Sequence, residues 1–320
     1  MTKPVIATPR KLPGALAGML RAKYDVREPD GDFVFCLHEF AALAEGSEVV
    51  FATAFDDVND AFLAALPGVR FIASIGAGYD HIDVDAARAR GVMVSNTPTV
   101  TDDCVADTTI GLIIAACRRF REGLAIAVAG DPRGMQTPDS WGQRVTGRTL
   151  GIIGMGNIGK AVAKRARGFD MTVQFYGRRP QPDAERETGA RQVGLDELLT
   201  TSDIVTLHCP LNRDTHHLID AAALQKMKPT AVLVNMARGP VVDELALIEA
   251  LKEKRLFAAG LDVFETEPGP IREELRSLSN AFCLPHIASA TMESRSGMAL
   301  RLLANIDAYF ETGAPLDRVA

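Results

Sequence analysis

Leu150-Gly151-Ile152-Ile153-Gly154-Met155-Gly156-Asn157-Ile158-Gly159 is the stretch on which the reading of this chain turns. The apolar run Leu150-Gly151-Ile152-Ile153 reads as a buried strand. Lys160-Ala161-Val162-Ala163-Lys164-Arg165-Ala166 reads as a helix. Strand, glycine turn and helix N-terminus in that order aim backbone N–H groups and the positive end of a helix dipole at an anion. The first glycine permits the tight turn, the second lets a diphosphate approach the backbone, and the third lets helix and strand pack closely. The expected ligand is a dinucleotide held by Gly154, Met155, Gly156, Asn157, Ile158 and Gly159. The alternative is a plain glycine-rich turn, and the flanking strand and helix speak against it.

Working outward, the next strand is Thr172-Val173-Gln174-Phe175-Tyr176, and it runs into Gly177-Arg178-Arg179-Pro180. A site that prefers NAD carries an acid there for the ribose 2′-hydroxyl. Here the tip shows no acid and two guanidiniums, which pair bidentately with phosphate. NADP is therefore expected over NAD, with Gly177, Arg178 and Arg179 at the 2′-phosphate. Two solvated arginines beside Asp183 are the alternative.

Short strands alternate with helices on both sides of this unit, which implies parallel sheets and an α/β fold. Upstream, strands are expected at 5–8, 49–52, 69–74 and 92–95, with helices at 12–22 and 62–66. A long buried helix is expected over 104–121, after an N-cap region at Thr101-Asp102-Asp103. An irregular loop follows over 130–147, with Pro132, Gly134, Pro138, Gly142 and the single tryptophan, Trp141. Downstream, strands are expected at 204–208, 231–235, 258–263 and 281–284.

The strand ending at Ser74 enters Ile75-Gly76-Ala77-Gly78-Tyr79-Asp80. Successive N–H groups there can hold a carboxylate, and a plain tight turn is the alternative. Three later strands end at Met236-Ala237-Arg238-Gly239, at Phe264-Glu265-Thr266-Glu267-Pro268 and at Pro285-His286-Ile287-Ala288-Ser289. Ligands of open α/β sheets bind at that carboxyl edge. Hydride transfer to a ketone needs an acid for the developing alkoxide, and His286 is the best candidate. Glu267 would orient the ring and favour its protonated form. Arg238 would supply the cation for the substrate carboxylate and carbonyl. The other histidines (His38, His81, His208, His216, His217) show no equally placed carboxylate and arginine.

The chain has 320 residues, 47% of them hydrophobic and 24% charged, with a net charge of −6. That composition suits a soluble globular protein of two domains. The acidic balance argues against nucleic-acid binding, which shows a basic face. Five scattered cysteines (Cys36, Cys104, Cys117, Cys209, Cys283) lack CxxC spacing. They read as buried hydrophobes in a reducing compartment, with no metal site. No secretory h-region opens the chain and no apolar stretch spans a bilayer, so a cytoplasmic protein without a membrane is expected.

Taken together in order and spacing, these stretches resemble the D-2-hydroxyacid dehydrogenase family over nearly the whole length. Thr101 to Asp107, Gly111-Leu112-Ile113 and Gly177-Arg178-Arg179 are similar to the glyoxylate/hydroxypyruvate and hydroxyphenylpyruvate reductases within it. The resemblance implies two Rossmann-like parallel-sheet domains. A cofactor domain, 98–289, would be inserted into a discontinuous, flavodoxin-like substrate domain, 1–97 and 290–320. Crossings near Asn96-Thr97-Pro98 and Ala288-Ser289-Ala290 would act as hinges. It implies Arg238, Glu267 and His286 as the catalytic set, and Gly76, Ala77, Gly78, Arg238, His286 and Ser289 as substrate contacts. Around the cofactor it implies Thr108, Cys209, Pro210, Thr215, Met236, Ala237, Arg238, Asp262 and His286, with Asp262 at the nicotinamide carboxamide. The expected activity is NADPH-dependent reduction of a small 2-keto acid, glyoxylate or hydroxypyruvate, to the D-2-hydroxy acid. Hydroxyphenylpyruvate or another 2-keto acid is the alternative substrate, and a cofactor-sensing binding module is the alternative class. A homodimer is expected, through the apolar helix after residue 104 and the loop behind it.

Overall fold

The computed structural model describes residues 3–12, 14–33, 36–131 and 141–320. Residues 132–140 of the expected irregular loop, with Pro132, Gly134 and Pro138, lie outside the described residues. The chain forms two compact units, Met1–Thr101 with Thr291–Ala320, and Asp102–Ala290.

In the first unit, β1 (Val5–Ala7), β2 (Asp25–Arg27), β3 (Val49–Ala52), β4 (Phe71–Ser74) and β5 (Met93–Ser95) form one parallel sheet in the order β2-β1-β3-β4-β5. All four residues of β3 and of β4 are buried. Side chains alternate faces along a strand. Val49 and Phe51 therefore meet Leu16, Leu20, Leu302 and Ile306 of the helices Gly14–Lys23 and Met292–Thr312. Val50 and Ala52 face Phe40, Phe62 and Leu63 on the other side. The C-terminal helix is tied in by the Asn305 amide, which donates to Asn96 O at 3.3 Å. β2, whose Asp-Val-Arg has no apolar pattern, and the helices Leu37–Leu43 and Val84–Ala89 are not among the expected elements.

In the second unit the strands are β6 (Thr149–Ile153), β7 (Thr172–Tyr176), β8 (Arg191–Gln192), β9 (Ile204–Leu207), β10 (Val232–Asn235), β11 (Ala258–Leu261) and β12 (Ala281–Cys283). They lie parallel in the order β12-β11-β10-β9-β6-β7-β8. The chain winds outward from β6 in one direction and then, from β9, in the other. The crevice between β6 and β9 is thus the topological switch point, where such sheets bind ligands. The Gly154 turn leaves β6 there.

The helix expected over 104–121 is two helices. Asp102–Cys117 is buried on most of its circumference and packs in the core with Val162, Ala163 and the sheet residues Val232 and Val234. It stops because the Gln143 N–H caps the Cys117 carbonyl at 2.7 Å. A Cβ at Gly142 would sit 2.6 Å from that same oxygen, so only glycine lets the strand of loop approach. Arg119 then turns left-handed (φ 55°) and Phe120–Val128 starts a new helix with no buried residue.

Candidate active site

The three glycines of the opening turn do different jobs. Gly154 has φ +97°, and a Cβ on it would lie 2.6 Å from Cys209 N and 2.7 Å from the His208 carbonyl carbon. A Cβ on Gly159 would lie 2.3 Å from Gly154 O, so the helix Asn157–Ala166 can seat only without a side chain there. Gly156 has nothing within 4 Å of its Cβ position. That open side, beside the N-terminus of a ten-residue helix, fits a diphosphate. Met155 is buried beneath the turn, whereas Asn157 is exposed and donates its side chain to Asp102.

At the tip of β7 the Gln192 amide donates to Gly177 O and Arg179 O, at 3.1 and 2.8 Å, and shapes the bend. The tip does not lack an acid, contrary to expectation. Arg178 is paired with Asp214, from the loop after β9, while Asp183 pairs with Arg186. Asp214 lies 36 residues along the chain from Arg178, so only the strand order brings the two together. In the same loop the Thr215 hydroxyl donates to Pro210 O at 2.6 Å and accepts from Asn212 N at 2.9 Å. Burial pushes the Cys209 thiol up to about 11, so Cys209 lines this region as a neutral group.

Arg238, Glu267 and His286 follow β10, β11 and β12, three adjacent strands. Behind Arg238, the buried Asn235 side chain accepts from Ala237 N and donates to Arg238 O, both at 3.0 Å. The guanidinium donates to Ala237 O at 2.8 Å. A Cβ on Gly239 would lie 1.9 Å from the Phe264 carbonyl carbon, which places the Arg238 turn in backbone contact with the turn that carries Glu267. Glu267 accepts from Phe264 N at 2.8 Å through Oε1 and from His286 Nδ1 at 2.7 Å through Oε2. His286 itself has φ +54°, a left-handed conformation that non-glycine residues rarely adopt. The Asp262 carboxylate holds it there by accepting from Ile287 N at 2.8 Å and Ala288 N at 2.9 Å. Asp262 is 1% exposed. Burial raises its pKa, and the two N–H groups and His286 pull the other way. Thr108 reaches the same loop, donating to Ala288 O at 3.3 Å, and Ser289 beside it is half-buried.

Residues 110–288 match the family model described as D-isomer specific 2-hydroxyacid dehydrogenase, NAD binding domain. The chain belongs to the D-isomer specific 2-hydroxyacid dehydrogenase family. It is 42% identical over 310 residues to the glyoxylate/hydroxypyruvate reductase B of Escherichia fergusonii, covering 97% of this chain and 95% of that one. It is 43% identical over 266 residues to the glyoxylate reductase of Thermococcus litoralis, covering 81% and 80%. The NADPH-dependent glyoxylate/hydroxypyruvate reductase of Sinorhizobium meliloti, solved with NADP and malonate, superposes with a TM-score of 0.89. That structure is 30% identical, with 100% of this chain and 97% of that one covered. The second unit is accordingly the NAD(P)-binding domain of an oxidoreductase.

In the first unit of this dehydrogenase, the turn after β4 has one of its successive N–H groups already taken. Gly76 (φ +118°) donates its N–H to the Thr97 hydroxyl at 2.8 Å, and its carbonyl accepts from Thr97 N. The Asn96 amide donates to Ala77 O at 2.7 Å. The N–H groups of Ala77 and Gly78 donate to no acceptor among the described residues.

The remaining histidines also depart from expectation. His217 Nε2 meets Glu265 Oε1 at 2.7 Å, a second histidine–glutamate pair within the dehydrogenase. No local pattern announces it, because its partner lies 48 residues away. His208, just past the end of β9, is half-buried, with both ring nitrogens shielded from solvent. Both ring nitrogens lack a hydrogen-bond partner among the described residues, and burial pushes its pKa down to about 3. Of the cysteines only Cys117 is fully buried and Cys36 is exposed, so the expectation of five buried hydrophobes holds for one. Among the described residues no cluster of His, Cys, Asp and Glu suits a metal ion, and no helix is long and apolar enough to cross a membrane.

Proposed function

We propose that this dehydrogenase reduces glyoxylate and hydroxypyruvate to the corresponding D-2-hydroxy acids, with NADPH preferred over NADH. The observation that carries the reading is the His286 Nδ1–Glu267 pair at the end of β12, one strand from β11 and two from the Arg238 turn. The names of the relatives support the substrate, and the open Gly156 cradle with Arg178 and Arg179 supports the cofactor.

Gly154 to Gly159 would hold the diphosphate, Arg178 and Arg179 the 2′-phosphate, and Cys209, Pro210 and Thr215 the adenosine side. Thr108, Met236, Ala237 and Asp262 would line the nicotinamide end. When bound, the reduced nicotinamide supplies a hydride for the keto carbon. The substrate carboxylate falls to the N–H groups of Ala77 and Gly78, since the Gly76 N–H is committed to Thr97. Arg238 polarises the keto oxygen and stabilises charge as it develops. His286 gives its proton from Nε2, the ring atom opposite the one Glu267 holds. The Glu267 carboxylate holds Nδ1 and fixes the orientation of the ring during transfer.

An aromatic 2-keto acid such as hydroxyphenylpyruvate is a second reading. It is favoured by Phe33 and Phe55, both partly exposed, which flank the Arg10 guanidinium at 5.4 and 5.7 Å near the carboxyl ends of β1 and β3. The test is NADPH or NADH oxidation against a panel of 2-keto acids. Fastest turnover is expected with NADPH and with glyoxylate or hydroxypyruvate. Binding of NADPH with no oxidation by any acid in the panel would leave a cofactor-sensing module instead.

The homodimer is proposed through a different face from the one expected, since Asp102–Cys117 is consumed by its own unit's core. Phe120, Leu124 and Val128 recur every four residues along Phe120–Val128 and are 51, 65 and 80% exposed, with Trp141 exposed nearby in sequence. Light scattering should return the mass of two chains, and a one-chain mass at micromolar concentration would refute this.

A further inference from the structure

The His217–Glu265 pair belongs to a larger set of ties on the turn that carries Glu267. Glu265 Oε1 meets His217 Nε2 at 2.7 Å, and Glu265 Oε2 meets Arg272 Nη2 at 3.4 Å. The Glu265 N–H donates to Glu244 Oε2 at 3.1 Å, and Arg272 Nε lies 3.0 Å from Glu244 Oε1. Glu244 is 4% exposed, in the first turn of the helix Glu244–Lys252. His217 is fixed in turn, since its own N–H donates to Pro240 O at 2.8 Å. Pro240 belongs to the turn in which Gly239 touches Phe264.

These ties come from three different segments, after β9, β10 and β11, and they meet on one residue. Its neighbour Phe264 supplies the N–H that holds Glu267 Oε1, and the Glu267 N–H closes back on Phe264 O at 3.3 Å. The Glu244 carboxylate, buried as it is, costs stability unless it is paired and hydrogen-bonded, and Arg272 and the Glu265 N–H supply those partners. What the ties share is the backbone of residues 264–265, on which the direction of the Glu267 side chain depends.

We propose that Glu265, clamped by His217, Arg272 and Glu244, is a positioning residue that aims the Glu267 carboxylate at His286 Nδ1. It acts through the Phe264–Glu267 turn and touches neither substrate nor cofactor. The proposal rests on Glu267 and His286 being the reacting pair.

The test compares Glu265→Ala and Glu265→Gln with the wild type. Glu265→Ala should lower kcat by 30- to 100-fold and Glu265→Gln by 5- to 10-fold, with the KM for hydroxypyruvate and the Kd for NADPH within twofold. The solvent isotope effect on kcat should rise in both, because a misaimed donor makes proton transfer slower. Should Glu265→Ala not fold, Glu265→Gln, of the same shape, decides alone. A second readout needs no turnover. In protein with 15N-labelled histidine, the Nδ1 proton of His286, assigned with His286→Gln, should move upfield and exchange faster with water in both variants. Folded variants with wild-type kcat, isotope effect and Nδ1 resonance would overturn the proposal, as would a raised KM at unchanged kcat. If the wild type turned over no 2-keto acid, the reading of the reaction would fall. The His286 resonance would still decide whether Glu265 positions Glu267.

Discussion

Two histidine–glutamate pairs stand at the carboxyl edge of the second sheet, each closed at 2.7 Å, and they differ in which ring nitrogen is used. His286 meets its carboxylate through Nδ1, the nitrogen nearer its own backbone, so that Nε2 points away from Glu267. His217 meets Glu265 through Nε2 and so spends the far nitrogen on the protein. The acids differ as well. Glu265 is shared with Arg272, whereas the second oxygen of Glu267 is held by a backbone N–H. A pair of the first kind can pass a proton outward with the acid still holding the ring, and a pair of the second kind can only brace. Distance alone does not separate an acid–base pair from a brace.

The largest effect that would break this contrast is expected at His286. His286→Gln should lower kcat by about 10³-fold, within the range usual for a lost general acid, and leave the Kd for NADPH unchanged in fluorescence titration. His217→Gln removes one of several ties on Glu265, and its kcat should fall by no more than about fivefold. Equal losses in the two variants would end the distinction. A smaller effect is expected at a third ion pair, Arg178–Asp214, whose two side chains are 59 and 66% exposed. An exposed pair holds its members weakly, so the guanidinium is available to a phosphate. Arg178→Ala should raise the KM for NADPH about tenfold and leave that for NADH nearly unchanged. Unchanged selectivity between the two cofactors would remove Arg178 from the 2′-phosphate.

Much of this architecture is legible in the chain because local chemistry specifies it. Thr172-Val173-Gln174-Phe175-Tyr176 is a strand in the structure at the residues its apolar pattern marks. Arg238, Glu267 and His286 each lie in the turn that follows a strand, so a parallel sheet brings those turns to one edge without further information. What stays hidden depends on which strands become neighbours. Asp214 reaches Arg178 only because β9 and β7 flank β6. Glu265 meets His217 across loops from non-adjacent strands. The break at Arg119 is set by a carbonyl cap from Gln143, 26 residues beyond the Cys117 it caps, which no helix periodicity can register. Asn235 and Asp262 read as strand-end residues. Their bonds to the next turns, which shape the approaches to Arg238 and His286, appear only in three dimensions.

Gly239 carries one more consequence. Nothing larger than a hydrogen atom separates the turn of Arg238 from the turn of Glu267, so their spacing includes no rotatable bond of any side chain. The interval is as stiff as main chain against main chain. The loss of freedom that sets the two turns against each other therefore falls once, when the domain folds.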